Sequence, residues 1–497
     1  MLKHKTDYKV NNKMVFEEMT QESILFRRDK ESILFDEINL RNIESKFGTP
    51  TYLFSADQIR RNIRFLREKM LKHNPRTKIA YSMKNNIIPE IFTIIANEID
   101  YFETTSMLEQ KIIEKITLKK KKNIHIISTN IYKPDGLIED VIEFPNLVPS
   151  ETEQVKCESF LAIDSYQDFK NIEKVAQKLG AKPKVLIRVN PGIKMDIEET
   201  IFASADVTAK CAVIISKIGP IINASNDPTI SIWLPERQFI PEFDTAERLV
   251  KEASESDYLD LVGLHCHLGS QITNIEYFDR FFEVVTRFFK LMNEEIIDKL
   301  KILDFGGGYP VEYTHCECVP SIEDISKSLS KNIKNSNINP EIIIESGRFI
   351  TANAGILLSK ITITKENSEG QKIAVLDLST YSDLLDILTA QWSYDYTLIN
   401  DLPDTKQEDI YNWKLVGGTN DTLDQLSHKT FKCNNCKDFK KEKKEIAFPR
   451  DLETGDLIII KSAGAYTTCF NSTYSGRPKP HIVIKDTTSK QQIEKIR

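Results

Sequence analysis

Eight short apolar runs, each about as long as one buried strand, recur along the first 350 residues of this 497-residue chain. They occupy residues 78–82, 99–103, 124–128, 160–164, 185–190, 261–267, 302–305 and 342–345. The runs are rich in Ile and Val and do not alternate with polar residues, which is the pattern of parallel strands covered on both faces. Amphipathic stretches separate most of them. The clearest precedes the first run: Ser55 and Gln58 form a capping box, and Ile59, Ile63, Leu66 and Met70 follow at helical spacing. Strand and helix alternating eight times predict an α/β architecture, a (β/α)8 barrel.

After about residue 355 the texture changes. Residues 355–365, 371–376, 413–416, 456–461 and 482–484 read as strands between polar or turn-like segments, and predict a mainly antiparallel β-domain. The expected division is 1–45 as an N-terminal segment contributing a strand to the β-domain, 46–354 as the barrel, and 355–497 as the β-domain. Residues 221–241 and 427–450 read as insertions, and the basic run 437–444 in the second as a solvated surface loop.

Composition narrows the function. Lys plus Arg (67) against Asp plus Glu (73) give a formal charge of −6, without the basic excess or stripe of a nucleic-acid or anionic-membrane binder. No apolar run approaches the length of a membrane-spanning helix. Residues 1–13 are polar and charged, unlike a secretory signal. The eight cysteines show no framework spacing and fit a reducing compartment, so a cytoplasmic protein is expected.

In such a barrel, chemistry belongs at the C-terminal ends of the strands. Those ends carry Lys84 (strand one), Glu103 (two), Arg188 (five) and His265-Cys266-His267-Leu268-Gly269-Ser270 (six). Strand seven ends in Gly306-Gly307-Gly308, and strand eight in Glu345-Ser346-Gly347-Arg348. Three consecutive glycines let backbone N–H groups approach a phosphate, and Arg348 could clamp the same anion. Lys84, just past a buried strand, is where desolvation would lower an amine's basicity and make it a nucleophile toward an aldehyde. His267 lies two residues after His265, on the same side of the strand. Glu345 ends an apolar run, where its carboxylate needs a proton donor or a cation. Together these suggest an aromatic cofactor bearing both a phosphate and an aldehyde. Lys84 would hold the aldehyde, Gly306–Gly308 and Arg348 the phosphate, His267 a ring face and Glu345 the ring nitrogen. Pyridoxal 5'-phosphate fits all four roles.

At these motifs the sequence resembles the barrel-type pyridoxal-phosphate decarboxylases, which include diaminopimelate, ornithine and biosynthetic arginine decarboxylases. The resemblance runs over roughly residues 35–484. It rests on Tyr81-Ser82-Met83-Lys84-Asn85-Asn86, the runs 188–192 and 216–219, the histidine motif 263–271, the glycine triplet and Glu345-Ser346-Gly347-Arg348. Gly464-Ala465-Tyr466 and Tyr474-Ser475-Gly476-Arg477-Pro478 match late in the chain. The resemblance implies that Tyr466 and Ser270 contact the phosphate, that Gly347 belongs to the cofactor site, and that Glu103 and Arg188 lie near the ring. It implies a homodimer whose active sites combine one barrel with the partner's second domain. The implied reaction loses the carboxylate of a small amino acid bound in place of Lys84, while Glu345 keeps the ring nitrogen protonated.

Two features depart from the family. Its second domain supplies a cysteine credited with protonating the α-carbon; here Gly417-Gly418-Thr419-Asn420-Asp421 places Asn420 at that position. An amide is a poor proton donor, so Cys469, His428 or a water held by Asn420 would have to serve. Diaminopimelate-type members also hold the distal carboxylate with an arginine in the segment matching 377–389, which here contains Asp377, Asp383 and Asp386 and no Arg or Lys. Asp421 resembles the acid that receives a distal amine in ornithine-type members. Asp377, Asp386 and Asp421 are therefore the candidate substrate contacts. A diamino acid is expected, free or acylated on its distal nitrogen, as in citryl-diamino acids of siderophore pathways; diaminopimelate is the alternative.

Other readings compete. His265-x-His267 suggests a metal-dependent hydrolase, although Lys84, Arg188 and Arg348 would repel a cation. Asn420 favours a cofactor-binding homologue without turnover, and a racemase is possible on such a barrel. Cys316-x-Cys318 and Cys433-x-x-Cys436 could form a four-thiolate zinc site, but nothing in the sequence brings them together. No metal is expected at the active site. His73, His125 and His481 have ordinary roles by default.

Overall fold

The computed structural model describes residues 26–29, 32–120, 122–147, 157–193, 203–206, 209–215, 245–314, 319–390, 392–399, 411–426, 445–448, 450–489 and 492–497. The run 216–219, the insertion 221–241, His428, the basic run 437–444 and both cysteine pairs lie outside them. No helix among the described residues is long and apolar enough to cross a membrane.

The chain opens with three short antiparallel strands, β1 (Phe26–Asp29), β2 (Ser32–Phe35) and β3 (Ile38–Asn39), and helix α1 (Leu40–Phe47). Strand β4 (Thr51–Ser55) follows and runs into helix α2 (Ala56–His73). The Ser55 hydroxyl accepts from the Gln58 N–H at 3.0 Å and caps the helix, but the Gln58 side chain donates to Asn62 at 2.8 Å and accepts from Arg61 at 2.7 Å, so only the Ser55 half of the predicted capping box forms. Ile59, Ile63, Leu66 and Met70 are fully buried, and each side chain stabilises the fold by roughly 1.5–3 kcal/mol relative to exposure.

All eight apolar runs become strands of one parallel barrel. They are β5 (Thr77–Ser82), β6 (Tyr101–Thr104), β7 (His125–Ser128), β8 (Glu158–Ile163) and β9 (Lys184–Asn190). After the short β10 (Val213–Ile214), which pairs with β9, come β11 (Asp260–His265), β12 (Ile302–Asp304) and β13 (Glu341–Ser346). The order β9-β11-β12-β13-β5-β6-β7-β8 closes through a β8–β9 pairing. Ala80, Tyr101, Ile127, Phe160, Leu186 and Ile343 form one apolar cluster drawn from six of the strands. Because side chains alternate along a strand, residues two positions further on share that face. They are Ser82, Glu103, Thr129, Ala162, Arg188 and Glu345, so a layer polar at all but Ala162 lies directly above an apolar floor.

The second domain is a mixed, mainly antiparallel sheet built on β14 (Gly355–Glu366). It includes β15 (Lys372–Leu376), β16 (Tyr396–Leu398), β17 (Tyr411–Val416), β18 (Ile446–Phe448), β19 (Leu457–Ile460), β20 (His481–Lys485) and β21 (Ile493–Lys495). The β15–β17 and β4–β20 pairings are parallel. One expectation needs correction. Among the described residues the N-terminal segment adds no strand to this sheet: β1–β3 form their own sheet, whose Ile33, Phe35 and Ile38 pack on Leu53, Ile356 and Ile459 of the β-domain. The strand inserted between β14 and β20 is β4, which the sequence hides because its five residues lead straight into a capped helix. Within the insertion read over 427–450, strand β18 pairs with β17.

Candidate functional site

Lys84 sits in a single 3-10 turn, Met83–Asn85, directly after β5. Its Nζ donates to Glu103 Oε1 and Oε2 at 2.8 and 2.7 Å. Glu103 is buried on β6 and also accepts from the Ser82 and Thr129 hydroxyls at 2.5 Å each. Burial acts to raise the Glu103 pKa, but the Lys84 charge and these donors outweigh it and hold the carboxyl well below its ordinary range. Burial likewise acts to lower the Lys84 pKa, and the Glu103 charge outweighs that too, so the amine is pushed above the ordinary lysine value. The expected loss of basicity therefore does not occur in the cofactor-free chain. Lys84 is an ammonium, held by Glu103 and still one-third exposed to the cleft.

The glycine triplet follows β12. Gly306 and Gly308 have φ of 61° and 105°, a region that disfavours any residue with a Cβ. Gly307 is required for space, since a Cβ there would lie 2.6 Å from the Glu345 carbonyl oxygen. Its N–H donates to His267 Nδ1 at 2.9 Å. Burial, then the charges of Lys84 and Arg188, push His267 well below the ordinary histidine value, so its imidazole is neutral.

Arg348, after β13, donates to the Tyr313 hydroxyl at 2.6 Å and to Ser270 Oγ at 3.1 Å. Its guanidinium lies 4.5–5.5 Å from the ring centroids of Tyr466, Trp392 and Tyr313, and these faces fix the side chain. Its Nε is buried without a partner among the described residues. A Cβ on neighbouring Gly347 would lie 2.6 Å from the Asn85 amide nitrogen. Tyr466 adopts φ 57° and donates its N–H to the Asn85 carbonyl at 2.7 Å, which ties the second domain to the turn that carries Lys84.

These groups line one cleft, whose walls include Lys84, His267, Ser270, Gly307, Gly308, Glu345, Gly347, Arg348 and Tyr466. Its chemistry fits pyridoxal phosphate. A cation with an unpaired N–H and a glycine-lined backbone stand at one end, and a lysine amine at the cleft wall. Glu345 is 2 % exposed, and its Oε1 makes no hydrogen bond among the described residues, His265 Nε2 lying 3.3 Å away. Burial, then the like charge of Glu103, push its carboxyl up to about 8.

The sequence reading missed several contributors. Asp304, which precedes the triplet, accepts from the Gly306 N–H at 2.8 Å. Tyr313 and Trp392 bracket Arg348, and Thr129 completes the Glu103 shell. Only Asp304 left a signal, as an acid inside an apolar run. His265 and His267 diverge: His265 Nε2 lies 3.3 Å from Glu345 Oε1, while His267 meets Gly307. Arg188 lies 3.3 Å from both Asp164 Oδ1 and the Thr129 carbonyl; it does not line the cleft, but its charge acts on both histidines.

The second-domain candidates are placed differently. Asn420 is exposed, and Asp421 accepts from the Leu423 N–H and the Tyr474 hydroxyl; neither lines this chain's own cleft. The Asp377 carboxylate is bound within its own chain, accepting from Ser359 Oγ at 2.6 Å, from the Lys360 N–H at 3.0 Å and from the Thr49 hydroxyl. Asp386 is buried and accepts from the Tyr394 hydroxyl, and burial raises it to about 7 although Tyr394 and Arg348 oppose the shift. Burial pushes the Cys469 thiol up to about 12, so it keeps its proton at neutral pH.

Comparison with known proteins gives consistent results. A family described as pyridoxal-dependent decarboxylase, pyridoxal binding domain, matches residues 204–352, which include His267, the glycine triplet, Glu345 and Arg348. Proteins called diaminopimelate decarboxylase are similar along nearly the whole chain. The one from Aquifex aeolicus is 24% identical over 471 residues, 94% of each chain, and the one from Vibrio cholerae 25% over 455, 91% of each. Among solved structures, diaminopimelate decarboxylase from M. jannaschii in complex with L-lysine aligns with a TM-score of 0.73 at 20% identity, covering 96% of both chains. Lysine/ornithine decarboxylase from Vibrio vulnificus with putrescine aligns at 0.63 and 18%, covering 90% of this chain and 97% of that one. In fold and in the order of its motifs, the chain resembles the barrel-type pyridoxal-phosphate-dependent decarboxylases.

Proposed function

We propose that this chain is a pyridoxal-phosphate-dependent carboxy-lyase that removes the α-carboxylate of a diamino acid, free or acylated on its distal nitrogen. The observation carrying this reading is the Lys84 amine, gripped by Glu103, in a cleft it shares with Arg348 and the glycine triplet. Bound pyridoxal phosphate supplies an electron sink for the pair left when the carboxylate departs. The chain's residues do the rest. Arg348, Ser270 and the Gly308 backbone would hold the phosphate, and neutral His267, whose Nδ1 accepts from the Gly307 N–H, would pack on a ring face. Glu345 holds a proton at the ring nitrogen. Glu103 keeps Lys84 Nζ aimed into the cleft.

The substrate argument is one of charge. A distal carboxylate needs a cation, and none of residues 377–389 is Arg or Lys. Asp386 lies in that stretch, where its carboxyl could meet a distal amine or amide. The second reading is diaminopimelate itself, favoured by the names of the most similar relatives. We place the chain in a homodimer, since Asn420 and Asp421 stand outside their own chain's cleft and a partner's second domain would bring their counterparts to it. Carbon dioxide release from ornithine, lysine, citryl-ornithine and meso-diaminopimelate decides the substrate. Release from any of the first three supports the proposal, and release from diaminopimelate alone contradicts it.

A further inference from the structure

Two buried titratable groups, neither of which lines the cleft, crowd Glu345. Asp304 is fully buried at the end of β12, and His265 is 1 % exposed at the end of β11. Atoms of His265, Asp304 and Glu345 lie within 4.8 Å of one another. Asp304 Oδ1 accepts the Gly306 N–H, while Oδ2 makes no hydrogen bond among the described residues; Glu345 Oε1 lies 3.3 Å from His265 Nε2 without a well-formed hydrogen bond. Two carboxyl groups this close in a dry interior, with only a neutral imidazole beside them, cannot both carry charge, so a proton belongs between them.

We propose that Asp304 is a positioning residue that stays protonated and donates through Oδ2 to Glu345, with neutral His265 beside it. This arrangement lets Glu345 face the cofactor's ring nitrogen as a carboxylate and keep that nitrogen protonated. The inference rests on the cofactor reading above. As the ring nitrogen gains a proton, Glu345 gives one up and Asp304 keeps its own, so the count balances. The charged groups around Glu345 come from several strands: Glu103 on β6 opposes its ionisation, whereas Lys84 after β5 and Arg188 on β9 favour it. Burial, then the Glu345 charge, hold Asp304 well above the ordinary carboxyl range, and burial pushes His265 down to about 4.

The test uses holoenzyme carrying ring-15N-labelled pyridoxal phosphate, whose nitrogen chemical shift reports protonation. Asp304→Asn keeps a donor at the Oδ2 position and Asp304→Ala removes it. The expected result is a wild-type shift in Asp304→Asn and a clear move toward the unprotonated value in Asp304→Ala. An equal move in both variants, or in neither, would overturn the inference. Infrared spectra of the unliganded chain give a second readout that does not depend on how Asp304→Ala folds. Because Glu345, Glu109, Asp383 and Asp386 also hold protons near neutral pH, the readout is the difference between wild type and Asp304→Asn: a protonated-carboxyl band lost in the variant supports the proposal, and identical bands in the two refute it. Borohydride trapping on Lys84 of the wild type separates the two levels. An adduct with an unprotonated ring nitrogen fails the inference alone, whereas no adduct fails the cofactor reading beneath it.

Discussion

The Gly307 N–H donates to His267 Nδ1 at 2.9 Å, so the one proton of this neutral imidazole sits on Nε2. The same glycine has no room for a side chain: a Cβ would lie 2.6 Å from the Glu345 carbonyl oxygen and 3.2 Å from His267 Cε1. Gly307→Ala should therefore displace both residues and weaken pyridoxal phosphate binding by about tenfold or more, roughly 1.4 kcal/mol. Equilibrium titration of the unliganded chain measures this, and unchanged affinity would show that the triplet does not shape the site.

Glu103→Gln removes the charge that raises Lys84. Burial then acts unopposed by that carboxylate, and the amine's pKa should fall. The rate at which the unliganded chain captures the cofactor should reach its half-maximum at a pH lower by about one unit or more. A profile that stays in place would mean Glu103 does not set the protonation of Lys84.

Arg348→Lys keeps the charge but loses the planar fork that spans Tyr313 and Ser270 and stacks on Tyr466 and Trp392. The expected cost is on the order of tenfold or more in affinity for pyridoxal phosphate, with little change for pyridoxal, which has no phosphate. Equal losses for both ligands would place the phosphate elsewhere.

The barrel and its chemistry were legible for different reasons. Parallel strands covered on both faces leave unbroken Ile- and Val-rich runs, and strand ends locate the loops that carry Lys84, His267, Glu345 and Arg348. Strand β4 was hidden because five residues leading into a capped helix carry no strand signature of their own. The Lys84–Glu103 pairing was invisible for a different reason: adjacent strands set it, and the pair's mutual attraction reverses what burial alone would do to the amine. The bonds of Asp377 to Ser359 and Lys360 on β14 were not legible, because an acid after a strand looks the same in sequence whatever it meets. Trp392, about 44 residues after Arg348 in sequence, could not be paired with it without the fold.

Acid–base behaviour gives a stability prediction for the cofactor-free chain. Glu345 has a folded pKa of about 8 against an ordinary 4.5, so between these values the folded state holds a proton that the unfolded state has lost. Its contribution is complete below about pH 4.5 and is lost as the pH rises through 8. Glu109 and Asp383, both raised to about 7 by burial, act in the same direction. Stability should decline across that window, and Glu345→Gln should flatten the decline by an amount on the order of 1 kcal/mol or more. Parallel pH profiles of Tm for wild type and variant would contradict this.

The measurement that bears most directly on the whole account is borohydride reduction of the chain mixed with pyridoxal phosphate, followed by peptide mapping. The account predicts a single pyridoxyl adduct on the ε-nitrogen of Lys84, abolished in Lys84→Ala. An adduct on a different lysine, or none at all, would contradict it.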